Sequence, residues 1–159
     1  MNEDARFEDG RDKPLNLGAQ DVEDLEVLST LIQDAVFPAT EMKWLAAESR
    51  LVLLVNRFRW EDLQAAERGR RAVERVQSLL VIDNVIGVAS QGIDRTDANI
   101  ILSILSISFV PGKDGVGFVD LTLAGDGGVR VSVEALELTL KDVTRPYMAP
   151  SRQKPNHDV

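Results

Sequence analysis

Apolar and polar side chains alternate with a period of two through most of the chain beyond residue 39, and this constrains the fold more than any other feature. RLVLLVNRFRW (50–60), ILSILSISFV (101–110) and GFVDLTLA (117–124) have the spacing and the branched, aromatic-rich composition of strands. Asp83-Asn84, PGKDGVG and GDGG stand between such runs, and their residue types favour tight reversals. Strands joined by short turns form antiparallel hairpins.

A different period occurs near the start. Val22, Leu25, Leu28 and Ile32 fall at helical spacing, widened by Val27, Leu31 and Ala35. Asp21 is placed to cap the first turn, and Glu23 and Asp24 suit its positive end. The pattern predicts an amphipathic helix over 21–35, ended by Pro38 and preceded by a short strand in LNLGA. Met42 and Trp44 then alternate with Glu41 and Lys43, which assigns Trp44 to the core. VEALELTLKDV fits two readings: Leu136, Leu138 and Leu140 alternate as in a strand, while Val133, Leu136, Leu140 and Val143 match a helix. The helix is the preferred reading, with Lys141 near its C-terminal end.

These elements predict an α+β fold. It has a mainly antiparallel sheet of about seven strands curled into a roll or partly closed barrel, an N-terminal amphipathic helix and a C-terminal helix. Seven strands and a closing helix is also the element order of pleckstrin-homology-like barrels, a likeness of order that carries no function. The 159 residues suit a single domain. Residues 1–14 and the proline-bearing 146–159 are poor in core formers and read as disordered tails around a domain at 15–145.

Composition removes several chemistries. The chain has no cysteine and one histidine, His157, so the folded part has no thiol nucleophile and no imidazole base. Ser-His-Asp and Cys-His catalysis and the usual zinc sites need those groups. No cofactor or metal is expected, and an enzyme here would depend on carboxylates, lysine, arginine or hydroxyls. The net charge of −8 disfavours nucleic acid and anionic membrane as partners. No apolar run is long enough to span a bilayer, and the N-terminus has no leader pattern, so a cytoplasmic protein is the expectation.

Against that acidic background, NRFRWEDLQAAERGRRAVERV (56–76) holds six arginines and four acids. An excess of two is thin for binding phosphates, whereas arginine beside aromatics suits a protein interface. Arg57 and Arg59 share a strand face with Leu51, Leu53 and Val55, and the strand is expected to leave the core where they begin. Arg68, Arg71 and Arg75 share one side if the following segment is helical, with Glu67 placed to pair with Arg71. The candidate binding surface is therefore Arg57, Arg59, Trp60, Arg68, Arg71 and Arg75. A second candidate is the loop QGIDRTDAN, where Asp94, Arg95 and Asp97 crowd together and two carboxylates have the spacing to hold a hard cation. Asx-type turns explain the same residues. The glycines of PGKDGVGF do not make a phosphate loop, because Lys113 is followed by Asp114 rather than by Ser or Thr at a helix.

Through NRFRWE, QGIDR and VRVSVEALELTLKDV the chain resembles a family of small bacterial proteins known only as a domain of unknown function, over about residues 15–145. The resemblance implies a bacterial cytoplasmic protein and transfers no catalytic residue. These residues support a non-enzymatic interaction domain whose arginine and aromatic surface meets a protein partner or a second copy. The alternative is a small carboxylate-dependent enzyme or ligand-binding barrel using the 94–97 loop.

Overall fold

The computed structural model describes residues 13–94, 96, 97 and 99–148; the expectations for Arg95, His157 and most of both tails lie outside them. In chain order the elements are β1 (Asn16–Ala19), α1 (Val22–Ile32), β2 (Val36–Pro38), β3 (Met42–Leu45), β4 (Arg50–Phe58), α2 (Leu63–Arg68), β5 (Arg75–Ile82), β6 (Val85–Gln91), β7 (Ile101–Pro111), β8 (Gly117–Leu123), β9 (Gly128–Val133) and β10 (Leu138–Asp142). The cap at Asp21 forms, its carboxylate accepting from the Asp24 N–H at 2.8 Å, and α1 buries Leu25, Leu28 and Ile32.

The expected fold class is corrected. Ten strands, not about seven, make one antiparallel sheet that does not close, in the order β1-β10-β5-β4-β2-β7-β8-β9-β6, with β3 attached to β4. No helix stands at either end of the described chain: α1 lies between β1 and β2, and β10 is the last regular element. Residues 138–142 form a strand because a slot for one exists between β1 and β5. Leu138 and Leu140 enter the core there, and backbone groups pair on both sides. Helical spacing in the same residues offers only one apolar stripe and leaves both neighbouring edges open.

β2 joins two halves. It pairs with β4 at Val36↔Asn56 and with β7 from Val36 to Pro38. On one side lie β4, β5, β10, β1 and β3; on the other, β7, β8, β9 and β6. Asp83-Asn84 does turn the chain, with Asn84 at φ 60°. The strands on either side of it do not pair, however: β5 joins β4 and β10, and β6 joins β9. The buried faces of both halves and of α1 form one continuous core.

Trp44 departs from its expected position, and Leu105 from plain alternation. Trp44, assigned to the core, is 40% exposed, because β3 lies at an open margin of the sheet. In β7 a bulge falls between Ile104 and Ser106. It turns Leu105 outward and places Leu102, Ile104 and Ile107 in the core, where simple alternation would bury Leu105 with Ile107. A bulge inserts one residue and reverses the facing of everything beyond it.

Candidate functional site

Arg57 continues the inward face of β4 after Leu51, Leu53 and Val55, and the strand does not leave the core there. Its side chain is completely buried and Arg59 is nearly so. This corrects the expectation that both project from an exposed surface. Every N–H of the Arg57 guanidinium is engaged. Nη1 donates to Glu61 Oε1 at 2.9 Å and to the Phe58 carbonyl at 3.1 Å. Nη2 donates to Glu61 Oε2 at 2.8 Å and to Asp142 Oδ1 at 3.0 Å, and Nε reaches Ser78 Oγ at 3.1 Å. Asp142 in turn accepts from the Ser78 hydroxyl at 2.7 Å and from the Leu15 N–H at 2.9 Å. A guanidinium between two carboxylates, with its donors satisfied, is how a buried charge becomes tolerable.

The neighbouring arginines are similarly committed. Arg59 pairs with Glu74 at 2.6 Å, and Arg71 pairs with Asp62 at 2.6 Å rather than with Glu67. The helix ends at Arg68 and Arg75 belongs to β5, so Arg68, Arg71 and Arg75 do not share a helical face. The six residues of the expected patch are thus divided: Arg57 and Arg59 lie inside an ionic network, Arg71 braces its rim, Trp60 and Arg75 are half-buried and hydrogen-bonded to Gln33 and Asn56, and Arg68 is exposed.

The electrostatics follow from this network. Burial alone would lower the Arg57 pKa, but hydrogen bonds and charge from Glu61 and Asp142 outweigh it and the net shift is upward. For Glu61, burial pushes up, and the Arg57 hydrogen bonds and charge more than reverse it, so the carboxyl lies below its ordinary range. A depressed folded pKa stabilises the fold above the unfolded value, and that contribution disappears as pH falls through the folded one. The stability gap between wild type and Glu61→Gln is therefore expected to narrow in denaturant titrations as pH falls from above the ordinary glutamate range to below it. A gap that does not change with pH would contradict this pairing.

Asp94 and Asp97 are occupied locally. Asp94 Oδ1 accepts from the Thr96 N–H at 2.9 Å and the Thr96 hydroxyl at 2.6 Å, and Asp97 Oδ1 accepts from the Asn99 N–H at 2.9 Å. The side-chain and backbone bonds from Thr96 hold the Asp94 carboxyl below its usual range. Both carboxylates stand exposed on a turn. A groove of about 410 Å³ on the outer face of β6, β9 and β8 does not include them. It is lined by Ala89, Gln91, Thr122, Gly128 and the bidentate Arg130–Asp120 pair. Among the described residues, no group of three or more His, Cys, Asp or Glu side chains is placed to hold a metal ion.

The surface that sequence reasoning missed is the outer face of β4 and β5. Val52 pairs with Val81, and Leu54 with Leu79, all four pointing away from the core and half-buried by their own neighbours. Val143, 45% exposed, continues the row beyond β10. Phe58 closes one end, with the Arg75 guanidinium 4.0 Å above its ring and Trp60 at 5.1 Å beside it. Lys43 faces outward opposite Val52, and Lys141 opposite Leu79. Neither lysine has an acidic partner among the described residues, and no outward strand position of this half-sheet is acidic. The signal was present in the sequence: LVLLV and LLVI are continuously apolar, the pattern of strands covered on both faces.

Comparison with known proteins adds one identification. The chain belongs to a family described as protein of unknown function (DUF2948), matched over residues 15–157. The resemblance carried by NRFRWE, QGIDR and VRVSVEALELTLKDV is therefore correct, and the match runs past residue 145 into the segment read as a tail. Within that segment Tyr147 pairs with Arg75 through both backbone bonds, and its hydroxyl accepts from Asn56 Nδ2 at 2.6 Å. No curated protein and no solved structure matches the chain. No helix among the described residues is long and apolar enough to cross a membrane.

Proposed function

We propose that this member of the family is a non-enzymatic interaction domain, and that the outer face of β4 and β5 receives an acidic, apolar segment of a partner protein. The observation that carries this reading is the pairing of Val52, Leu54, Leu79 and Val81 on a face no described element covers, bordered by Lys43, Lys141 and Arg75. An antiparallel sheet normally turns polar side chains to solvent, and contiguous apolar surface ringed by charge marks a docking site. The uncompensated cations on this face of a chain of net charge −8 favour a partner of opposite sign. From the expected arginine and aromatic patch, Trp60 and Arg75 belong to this surface, at its Phe58 end.

The test is site-specific photo-crosslinking in native lysate. A crosslinker at Leu79 is expected to capture a protein, and capture should fall on adding salt or on introducing Leu54→Ser with Val81→Ser. A crosslinker at Ser108, on the other half of the sheet, should capture none. Equal capture from both positions, or capture indifferent to the substitutions, overturns the reading.

A further inference from the structure

β6 ends the strand order and leaves one edge free. Val85 is tied by its N–H to the Ser49 carbonyl at 2.8 Å, but from Ile86 to Gln91 the described residues make no backbone hydrogen bond to this strand except from β9. Free edges normally carry protection: shortness, charge, proline or a covering element. β1 and β3 are four residues each, and β3 carries Lys43. β6 is seven residues, VIGVASQ, with neither charge nor proline. Its one irregularity, the bulge between Val85 and Gly87, lies at its start, turns out an Ile86 that is 55% exposed, and leaves Gly87 to Gln91 regular.

We infer that β6 is a self-association edge, pairing antiparallel with β6 of a second copy about a two-fold axis at Ala89. That register sets Ala89 against its counterpart, Gly87 against Gln91 and Val88 against Ser90, so no charge opposes a like charge. Arg130 stands opposite Ala89 on β9 and is held bidentately by Asp120 at 2.8 Å. Across the two-fold, the Arg130 side chains are separated by three strand spacings, about 14 Å, beyond the screening length of about 8 Å at physiological salt. Two chains of net charge −8 repel over most approaches, and an uncharged edge with internally neutralised neighbours is where they meet at least cost. A second copy is favoured over a foreign strand because two-fold pairing consumes both edges and then stops.

The experiment measures mass in solution by light scattering and sedimentation, using the full chain. Wild type is expected at twice the 17.5 kDa chain mass. Ala89 is exposed on the outer side of β6, so Ala89→Lys and Ala89→Glu should each leave the thermal unfolding curve of the monomer intact. Each should raise the dimer dissociation constant about tenfold or more, and mixing the two variants should restore a dimer. A monomeric wild type at high concentration overturns the inference. So does a dimer that both variants preserve, or a pair of monomeric variants that do not combine when mixed. Loss of this dimer leaves the crosslinking result at Leu79 unaffected, so the two surfaces are tested independently.

Discussion

Asp142→Ala is expected to lower the free energy of unfolding by about 3–5 kcal/mol, the cost of leaving a buried arginine without one of its two carboxylates. The substitution removes the acceptor for the Arg57 guanidinium, the Ser78 hydroxyl and the Leu15 N–H at once. It also loosens β1, since the Leu15 contact ties the chain ahead of that strand to β10. Denaturant unfolding of the variant measures the loss, and a change below about 1 kcal/mol would show that the network contributes little. The double variant Arg57→Met with Asp142→Leu is expected to recover part of the stability, because it removes the uncompensated buried charge, while the Ser78 hydroxyl, the Leu15 N–H and Glu61 stay without these partners. Charge reversal at Arg57 and Arg59, the natural test if they formed an exposed patch, would instead place glutamates beside Glu61, Asp62, Glu74 and Asp142. Unfolding is the expected result, visible as loss of the far-ultraviolet strand signal.

Phe37→Ala is the second large effect, at about 3–5 kcal/mol for a fully buried aromatic. Phe37 is completely buried and sits in β2, the three-residue strand that links β4 to β7. The cavity therefore opens where the two halves of the sheet depend on one another. Equilibrium unfolding should remain a single transition with a reduced midpoint, because both halves and α1 share one core. A loss below about 1.5 kcal/mol would mean that the surrounding leucines collapse into the space.

Much of the chain was legible because its signals are local. The cap at Asp21, the stripe of Leu25, Leu28 and Ile32, the turn at Asn84 and the strand character of residues 50–58 each depend on spacing within a few residues. The misreadings share a different cause. Whether 138–142 is helix or strand depends on a slot between β1 and β5, strands more than fifty residues distant in sequence. The bulge at Leu105 leaves no mark in composition and yet reverses the facing of the rest of β7. Arg57 reads as solvent-bound because arginine is rarely buried, and its counter-charge, Asp142, lies eighty-five residues away.

The sequence by itself determined that this protein is built mainly of strands, that it contains one capped amphipathic helix, and that histidine and cysteine chemistry is absent from residues 1–156. Tertiary structure alone decided which strands neighbour one another, which side of each faces the core, and which charges are consumed in holding it together. The physical reason is one of range. Backbone propensity and side-chain period act within a turn or two of chain, whereas burial and ion pairing are set by groups the fold brings together from its two ends.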